Sequence, residues 1–455
     1  MSSSSNRLIL VLSLGILLFS CAANSKTPVW VKKEPTDPLF YSTVVKVFKQ
    51  DPLYKEKAFE TALKNISMQI TVTVDASVTT RETEAFGLSA TDFNSSIQTS
   101  SRSQLSGVEL AGSHETKKEY WAWYRLNKQA FRSARQIQCA NATRTALDLL
   151  AKYDVAFKEA SVDFAVTTGF LINALDLLSD FLDLDLRAAY KGQDIQIYSE
   201  VVHRLADLAA KTRISADPAS LSAVARRTSD IRSTISCRYT NGESGKILIS
   251  LPLGINFGKG AGDLTTKLAT NQLGTADLVI SRVTSFERQQ SVTVRVDKMP
   301  LVEMSGHPLV KKMISGLNFS SASLDLKVRR PKVWVSCLIN EQEITKAPLI
   351  EDRLRELEVE VSQDQSNSDY QLKVEIETNP GTYIPNLGLY SAQSNARLSL
   401  IDNVTGITLG SESLVSVKGT GPNPDTAISN SEQASLRAIS QETLYLIVSN
   451  HIIGF

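Results

Sequence analysis

From Met68 to Val78 the chain alternates. Met68, Ile70, Val72, Val74, Ala76 and Val78 are apolar, and the residues between them are Gln, Thr, Asp and Ser. A period of two rich in β-branched residues predicts a half-buried strand, with Val72 turned toward a helix and Thr73 toward water. That helix is predicted just upstream, where Ala58, Phe59, Ala62, Leu63 and Ile66 share one face. Asp51 is its expected N-cap and Pro52 its first helical residue. Phe40 to Phe48 reads as a strand. A short helix is expected over Phe93 to Ser103. Val108 to Leu110 and Lys118 to Leu126 read as a hairpin whose second strand, Tyr120-Trp121-Ala122-Trp123-Tyr124-Arg125-Leu126, is aromatic.

Beyond this module the period changes. Ala134, Ile137, Ala142, Ala146, Leu149, Leu150 and Tyr153 predict a long helix over Ala130 to Ala160. Ser161 to Leu184 predicts a second helix and Glu200 to Ala210 a third, with a turn at Tyr190-Lys191-Gly192-Gln193. Alternation returns at Ile249, Leu251, Leu253, Ile255 and Phe257, and again at Val292, Val294 and Val296, which predicts a β module with glycine-containing turns. The Gly258-Lys259-Gly260-Ala261-Gly262 cluster does not fit a phosphate-binding fingerprint. It reads as a loop that needs positive φ. Lys332 to Ile339 predicts a strand and Leu349 to Leu357 a helix. Strands follow at Tyr370 to Ile376, Ala396 to Leu400 and Leu414 to Val417, with a turn at Asp402 to Gly406, and a helix closes Glu432 to His451.

Composition narrows the function. The 455 residues carry 49 Lys+Arg and 48 Asp+Glu, a balance that offers no electrostatic grip on nucleic acid. Cys139, Cys237 and Cys337 are far apart and form no C-x-x-C pair, so zinc and thioredoxin chemistry are unsupported. They form either one disulfide, Cys139–Cys237, or three buried free thiols. His114, His203, His307 and His451 are isolated. Asp176, Asp180, Asp183 and Asp185 present either a cation site or an acidic helix face. Glu356, Glu358 and Glu360 read as a solvated edge. No Gly-x-Ser-x-Gly, His-Glu-x-x-His or Walker segment occurs. We expect no catalytic residue, no metal and no cofactor. Trp121 and Trp123 either stack on sugars or fill a core or subunit interface.

The N-terminus is the most specific signal. Arg7 precedes the apolar run Leu8 to Phe19, which is too short to span a bilayer comfortably. Leu18-Phe19-Ser20-Cys21 follows. The layout is that of a signal peptide, and it resembles a bacterial lipobox, with cleavage after Ser20 and lipidation at Cys21. The resemblance implies a diacylglycerol on the sulfur and an acylated amine, hence stable membrane attachment. Ala22 after the cysteine implies sorting to the outer membrane. Removing Arg7 with the leader leaves 48 basic against 48 acidic residues.

Pro28-Val29-Trp30-Val31, the first strand and helix, the strand from Met68 and the aromatic strand Tyr120 to Leu126 together resemble the LPP-twenty family of bacterial lipoproteins. That family includes a flagellar outer-membrane lipoprotein, so the resemblance implies an envelope structural role and homo-oligomers. The stretch from Gly245-Lys246-Ile247 through Phe257 is similar to bacterial immunoglobulin-like repeats. Ala396 to Asp402 followed by Thr405-Gly406 resembles CsgG/LpoB-type periplasmic domains. The expected fold is multidomain α+β. Its parts are a signal peptide at 1–20, an α/β lipoprotein domain at 21–131, a helical segment at 132–235, an Ig-like β-sandwich at 236–328 and a C-terminal α/β domain at 329–455. The expected partners are the membrane, through the N-terminal lipid, further copies of the chain, and an envelope protein. The alternative function is a regulator that binds a peptidoglycan synthase or secretion partner.

Overall fold

A computed structural model describes residues 27–70, 105–241, 244–344 and 347–453. The lipobox with Ser20 and Cys21, the alternating residues 71–78 and the helix expected at 93–103 lie outside the described residues. The chain is a mixed α and β protein with five sheets among the described residues. It forms two compact units. One comprises Met1–Ala151, Leu171–His203 and Ser305–Gly316, and the other comprises Lys152–Phe170, Arg204–Met304 and Leu317–Phe455.

The first unit opens with a short helix α1 (Val29–Lys32), strand β1 (Phe40–Phe48) and helix α2 (Tyr54–Gln69). β2 (Glu109–Glu115) and β3 (Glu119–Asn127) complete an antiparallel sheet in the order β1-β3-β2. Ala58, Ala62 and Ile66 of α2 are buried against Val45, Tyr120, Ala122, Tyr124 and Leu126. α2 begins two residues later than expected. Asp51 does not cap it but accepts from the Leu53 N–H at 2.8 Å and pairs with Lys57. At its other end α2 keeps Met68 and Gln69 in the helix, so the expected strand does not begin at Met68.

Helix α3 (Lys128–Ala156) buries Phe131, Arg135, Cys139, Ala142, Ala146, Leu150 and Tyr153. Ala134 and Ile137, expected to face inward, point to solvent. Next come β4 (Ser161–Asp163), helix α4 (Phe164–Ser179), the hairpin β5 (Arg187–Tyr190) and β6 (Gln193–Gln196), and helix α5 (Ile197–Lys211). The hairpin turns on Lys191 and Gly192, both at positive φ. Positions 132–235 are therefore not purely helical. The 131/132 boundary falls inside α3.

The second unit's β region begins with β7 (Thr212–Asp217), β8 (Ser220–Val224) and β9 (Thr228–Asn241). β9 runs through the 235/236 boundary expected from sequence. β10 (Ser244–Ile249), β11 (Pro252–Lys259), β12 (Gly262–Leu264), β13 (Lys267–Ala269), β14 (Thr275–Val283) and β15 (Gln289–Val296) follow. After helices α6 (Met299–Met304) and α7 (Pro308–Gly316) comes β16 (Ser321–Arg329). One sheet has the order β12-β14-β9-β10-β4, with β7 also on β9. The other is β13-β11-β15-β16-β8. Gly260 turns the chain between β11 and β12 at φ +98°. A Cβ there would lie 2.0 Å from Gln290 Oε1, so the glycine cluster is a packed turn.

The C-terminal sheet has the order β18-β17-β20-β21-β22, with β19 also on β17. Its elements are β17 (Lys332–Ile339), β18 (Gln342–Ile344), α8 (Pro348–Glu356), β19 (Glu360–Ser362), β20 (Tyr370–Ile384), β21 (Leu389–Asp402), β22 (Thr408–Gly421) and α9 (Pro424–Ala438). A π turn, a short helix α10 (Leu444–Val448) and a second π turn extend α9 to Ile453. Ile350, Leu354, Ile439, Leu444 and Val448 pack on Val333, Leu372, Val374, Leu398 and Leu400. Among the described residues no helix is long and apolar enough to cross a membrane.

Candidate functional site

β3 separates two faces that the sequence leaves merged. Tyr120, Ala122, Tyr124 and Leu126 are buried toward α2, and Trp121, Trp123 and Arg125 stand on the opposite face. On that outer face Trp30 of α1 packs on Trp123 with ring centroids 6.3 Å apart, over Gly112, where a Cβ would come within 3.3 Å of the indole. Lys46 Nζ lies 5.2 Å from the Trp121 ring and 5.3 Å from the Phe48 ring. It also pairs with Glu119 at 2.7 Å. Arg125 covers Phe40 at 4.7 Å and pairs with Glu109. The two tryptophans singled out in the sequence thus belong to a partly open aromatic face studded with cations, and not to the core under α2.

The second unit holds a cleft of about 410 Å³ lined by Ser222, Val224, Arg227, Ser229, Ile231 and Arg329, among others. It lies where the chain passes from β8 to β9. Arg227 Nη1 is 3.2 Å from Asp369 Oδ1, and its Nη2 lies 3.0 Å and 3.1 Å from the Asp402 oxygens. Arg329 adds a bidentate pair to Asp369 at 2.5 and 2.7 Å, and the Lys332 N–H donates to the same carboxylate at 2.9 Å. Burial pushes the Asp369 carboxyl up, but the hydrogen bonds from Arg329 and Lys332 and the charges of both arginines outweigh it, so Asp369 titrates below the usual range. Tyr370, under Arg227 at 5.5 Å, is pushed up to about 12 by burial. Two arginines and two aspartates cancel. Both arginines of the cleft already have partners, and Lys327 lines it as well.

The other candidates do not converge. Asp176 accepts from Ser305 Oγ at 2.6 Å and from the Gly306 N–H at 2.8 Å. Asp183 pairs with the buried Arg135 at 2.5 Å, Asp180 lies 3.6 Å from His307, and Asp185 sits by Arg187 on the surface. Glu356 pairs with Arg353, Glu358 with Arg330 and Glu360 with Lys332. Among the described residues no three His, Cys, Asp or Glu side chains gather to hold a metal. Cys139, Cys237 and Cys337 are free and buried, so the Cys139–Cys237 disulfide is not formed. Burial raises all three thiols, Cys237 to about 12 and Cys337 to about 11.

Sequence reasoning missed the arginine–aspartate cluster of the cleft, and it missed a feature of the C-terminal hairpin as well. From Thr378 to Ala396 no residue is charged, and this stretch forms the distal half of the β20–β21 hairpin. Tyr383 and Tyr390 pair across it with centroids 5.0 Å apart, and Tyr383 and Leu387 are exposed. The uncharged run itself was the available signal.

No protein-family model matches this sequence, and no curated protein matches it. Solved structures overlap about a quarter of the chain, three of them as follows. A Xanthomonas campestris protein of family DUF330 is 12% identical, over 26% of this chain and 85% of its own, with a TM-score of 0.18. A C. elegans MSP family member is 9% identical, over 26% and 98%, at 0.18. A lipoprotein from Neisseria meningitidis is 16% identical, over 27% and 97%, at 0.17. Likeness at this level carries no argument about fold or function.

Proposed function

We propose that this chain is a non-catalytic structural or assembly component of a bacterial envelope, held by lipid at the periplasmic face of the outer membrane. The observation that carries the reading is Leu18-Phe19-Ser20-Cys21 directly after a twelve-residue apolar run. Two or more acyl chains at Cys21 would make attachment stable. We extend the proposal to the domains: LPP-twenty-like at 21–131, Ig-like at 236–328 and CsgG/LpoB-type at 329–455. The strand–helix–strands–helix order of the C-terminal sheet supports the last of these. Carbonate washing should leave the protein with the membrane, and mass spectrometry should find the acyl mass on Cys21. Wild-type protein released by the wash, or an unmodified Cys21, would end the proposal.

A second reading is favoured by the uncharged hairpin tip around Tyr383, Leu387 and Tyr390. Here the C-terminal domain binds a peptidoglycan synthase or secretion partner. Particle size in detergent separates the two. A large symmetric assembly supports the first, and a monomer that binds a partner saturably supports the second.

A further inference from the structure

We infer that the outer face of the β1-β3-β2 sheet rests on the lipid surface to which the chain is tethered. The inference builds on the proposed anchor at Cys21. From Cys21 to Thr27 an extended chain reaches at most roughly 20 Å, and the first described element is α1, whose Trp30 lies on this face. A lipid at Cys21 therefore brings the bilayer within reach of this sheet.

The composition of the face fits that position. Trp30, Trp121, Trp123 and Phe48 lie along it, Phe48 is 58% exposed, and Val29 on α1 is 81% exposed. Lys46 sits between Trp121 and Phe48, and the exposed Lys32 and Lys33 follow Trp30 in the chain. Indole rings have an apolar body and one polar N–H, which favours the boundary between acyl chains and headgroups. Lysines beside them meet anionic headgroups. The Trp121 N–H donates to Glu119 at 3.3 Å, and the Trp123 N–H is buried with no partner among the described residues. The opposite face of the sheet is closed by α2, so only one face is available to lie on a membrane.

The chain has four tryptophans, and only Trp334, in β17, lies elsewhere. Full-length lipidated Trp334→Phe protein, reconstituted into phosphatidylethanolamine/phosphatidylglycerol vesicles, thus reports on this face alone. Flotation measures the anchor. Quenching by lipids brominated high on the acyl chain measures docking. We expect the protein to float, and its emission to shift blue and fall sharply with brominated lipid. The full-length Val29→Ser/Phe48→Ser variant, altered only at exposed positions, should still float and should lose much of that quenching. Protein that floats with unchanged emission would overturn the docking and leave the anchor standing. In that case iodide quenching would place the face in water, and protection from iodide would place it under protein. Protein that does not float would overturn the anchor and remove the basis of the inference with it.

Discussion

Arg227 and Asp369 are 142 positions apart in the chain, yet Arg227 Nη1 lies 3.2 Å from Asp369 Oδ1 while its Nη2 holds Asp402. Neighbouring Arg226, at φ 61°, donates to the Ile453 carbonyl and lies over Phe286 at 4.7 Å. Two consecutive arginines in the turn between β8 and β9 thus clasp the C-terminal region, Arg227 at one end of β20 and β21 and Arg226 at its last helical turn. The Asp369 side chain is only 6% exposed. Asp369→Ala leaves Arg329 without its carboxylate and Arg227 with Asp402 alone. Losing one partner of a buried pair costs about 3–5 kcal/mol, and the remaining Asp402 pair puts this loss at the lower end. The Arg329 side chain is 49% exposed, so Arg329→Ala should cost about 1 kcal/mol or less. Urea midpoints that rank the two variants the other way round would show that the clasp does not bear on stability.

The same carboxylate sets a pH dependence. Asp369 titrates lower in the fold than in the unfolded chain. Its contribution is therefore complete above the unfolded value, about pH 4, and is lost as pH falls through the lower folded value. Stability should drop over the interval that opens at about pH 4 and extends below it. Asp369→Asn should start lower at neutral pH and drop less over that interval. Parallel curves for the two proteins would place the acid sensitivity elsewhere.

Local pattern carried much of the fold. β1 and β17 begin and end where the sequence reading places them, and the Lys191-Gly192 turn needed only its glycine. What periodicity could not show was a polar residue buried by a distant partner. Scoring apolar residues alone turned Ala134 and Ile137 inward on α3, whereas Arg135 and Cys139 occupy that face because Asp183, 48 positions away, satisfies the guanidinium. Met68 and Gln69 suited a strand by pattern and still complete α2. The outer face of β3 was hidden because tryptophan, like the buried tyrosines beside it, scores as core. For the anchor the position is reversed, since the lipobox is legible only in sequence.

The thiols give a direct test of burial. Cys237 and Cys337 are 0% and 1% exposed and are pushed up to about 12 and 11 by burial, and Cys139 is raised for the same first reason. The thiolate is the reactive form, so at pH 8 very little is present and none is accessible. In the full-length Cys21→Ala chain, a disulfide-exchange reagent should detect no thiol before urea and all three after it. Migration on gels should not change with reductant. Two missing thiols in the unfolded, unreduced chain would restore the disulfide.

Glycines let α9 sit directly on β22. Ala427, Ser431 and Ser435 are its buried residues. A Cβ on Gly419 would lie 2.2 Å from the Ser431 nitrogen, and one on Gly421 would lie 2.7 Å from the Ala427 nitrogen. Ser431 fixes the approach from the other side, its hydroxyl bonding to Ser394 Oγ at 2.6 Å and to the Val417 carbonyl at 2.8 Å. Both prospective clashes are with helix backbone, which cannot rotate away, so Gly419→Ala must lift α9 off the sheet. Overpacking of this kind costs about 1–3 kcal/mol, occasionally more. Gly388→Ala is a fair comparison because its φ is +61° and its surroundings are open. It meets backbone strain alone, about 1–2 kcal/mol, and should leave the α9 contacts intact. Adding Ser431→Gly to Gly419→Ala should not restore the melting temperature, because it trims a side chain and leaves the obstructing nitrogen in place. A Gly419→Ala protein that melts with the wild type, or recovers with Ser431→Gly, would mean that α9 stands farther from β22 than described.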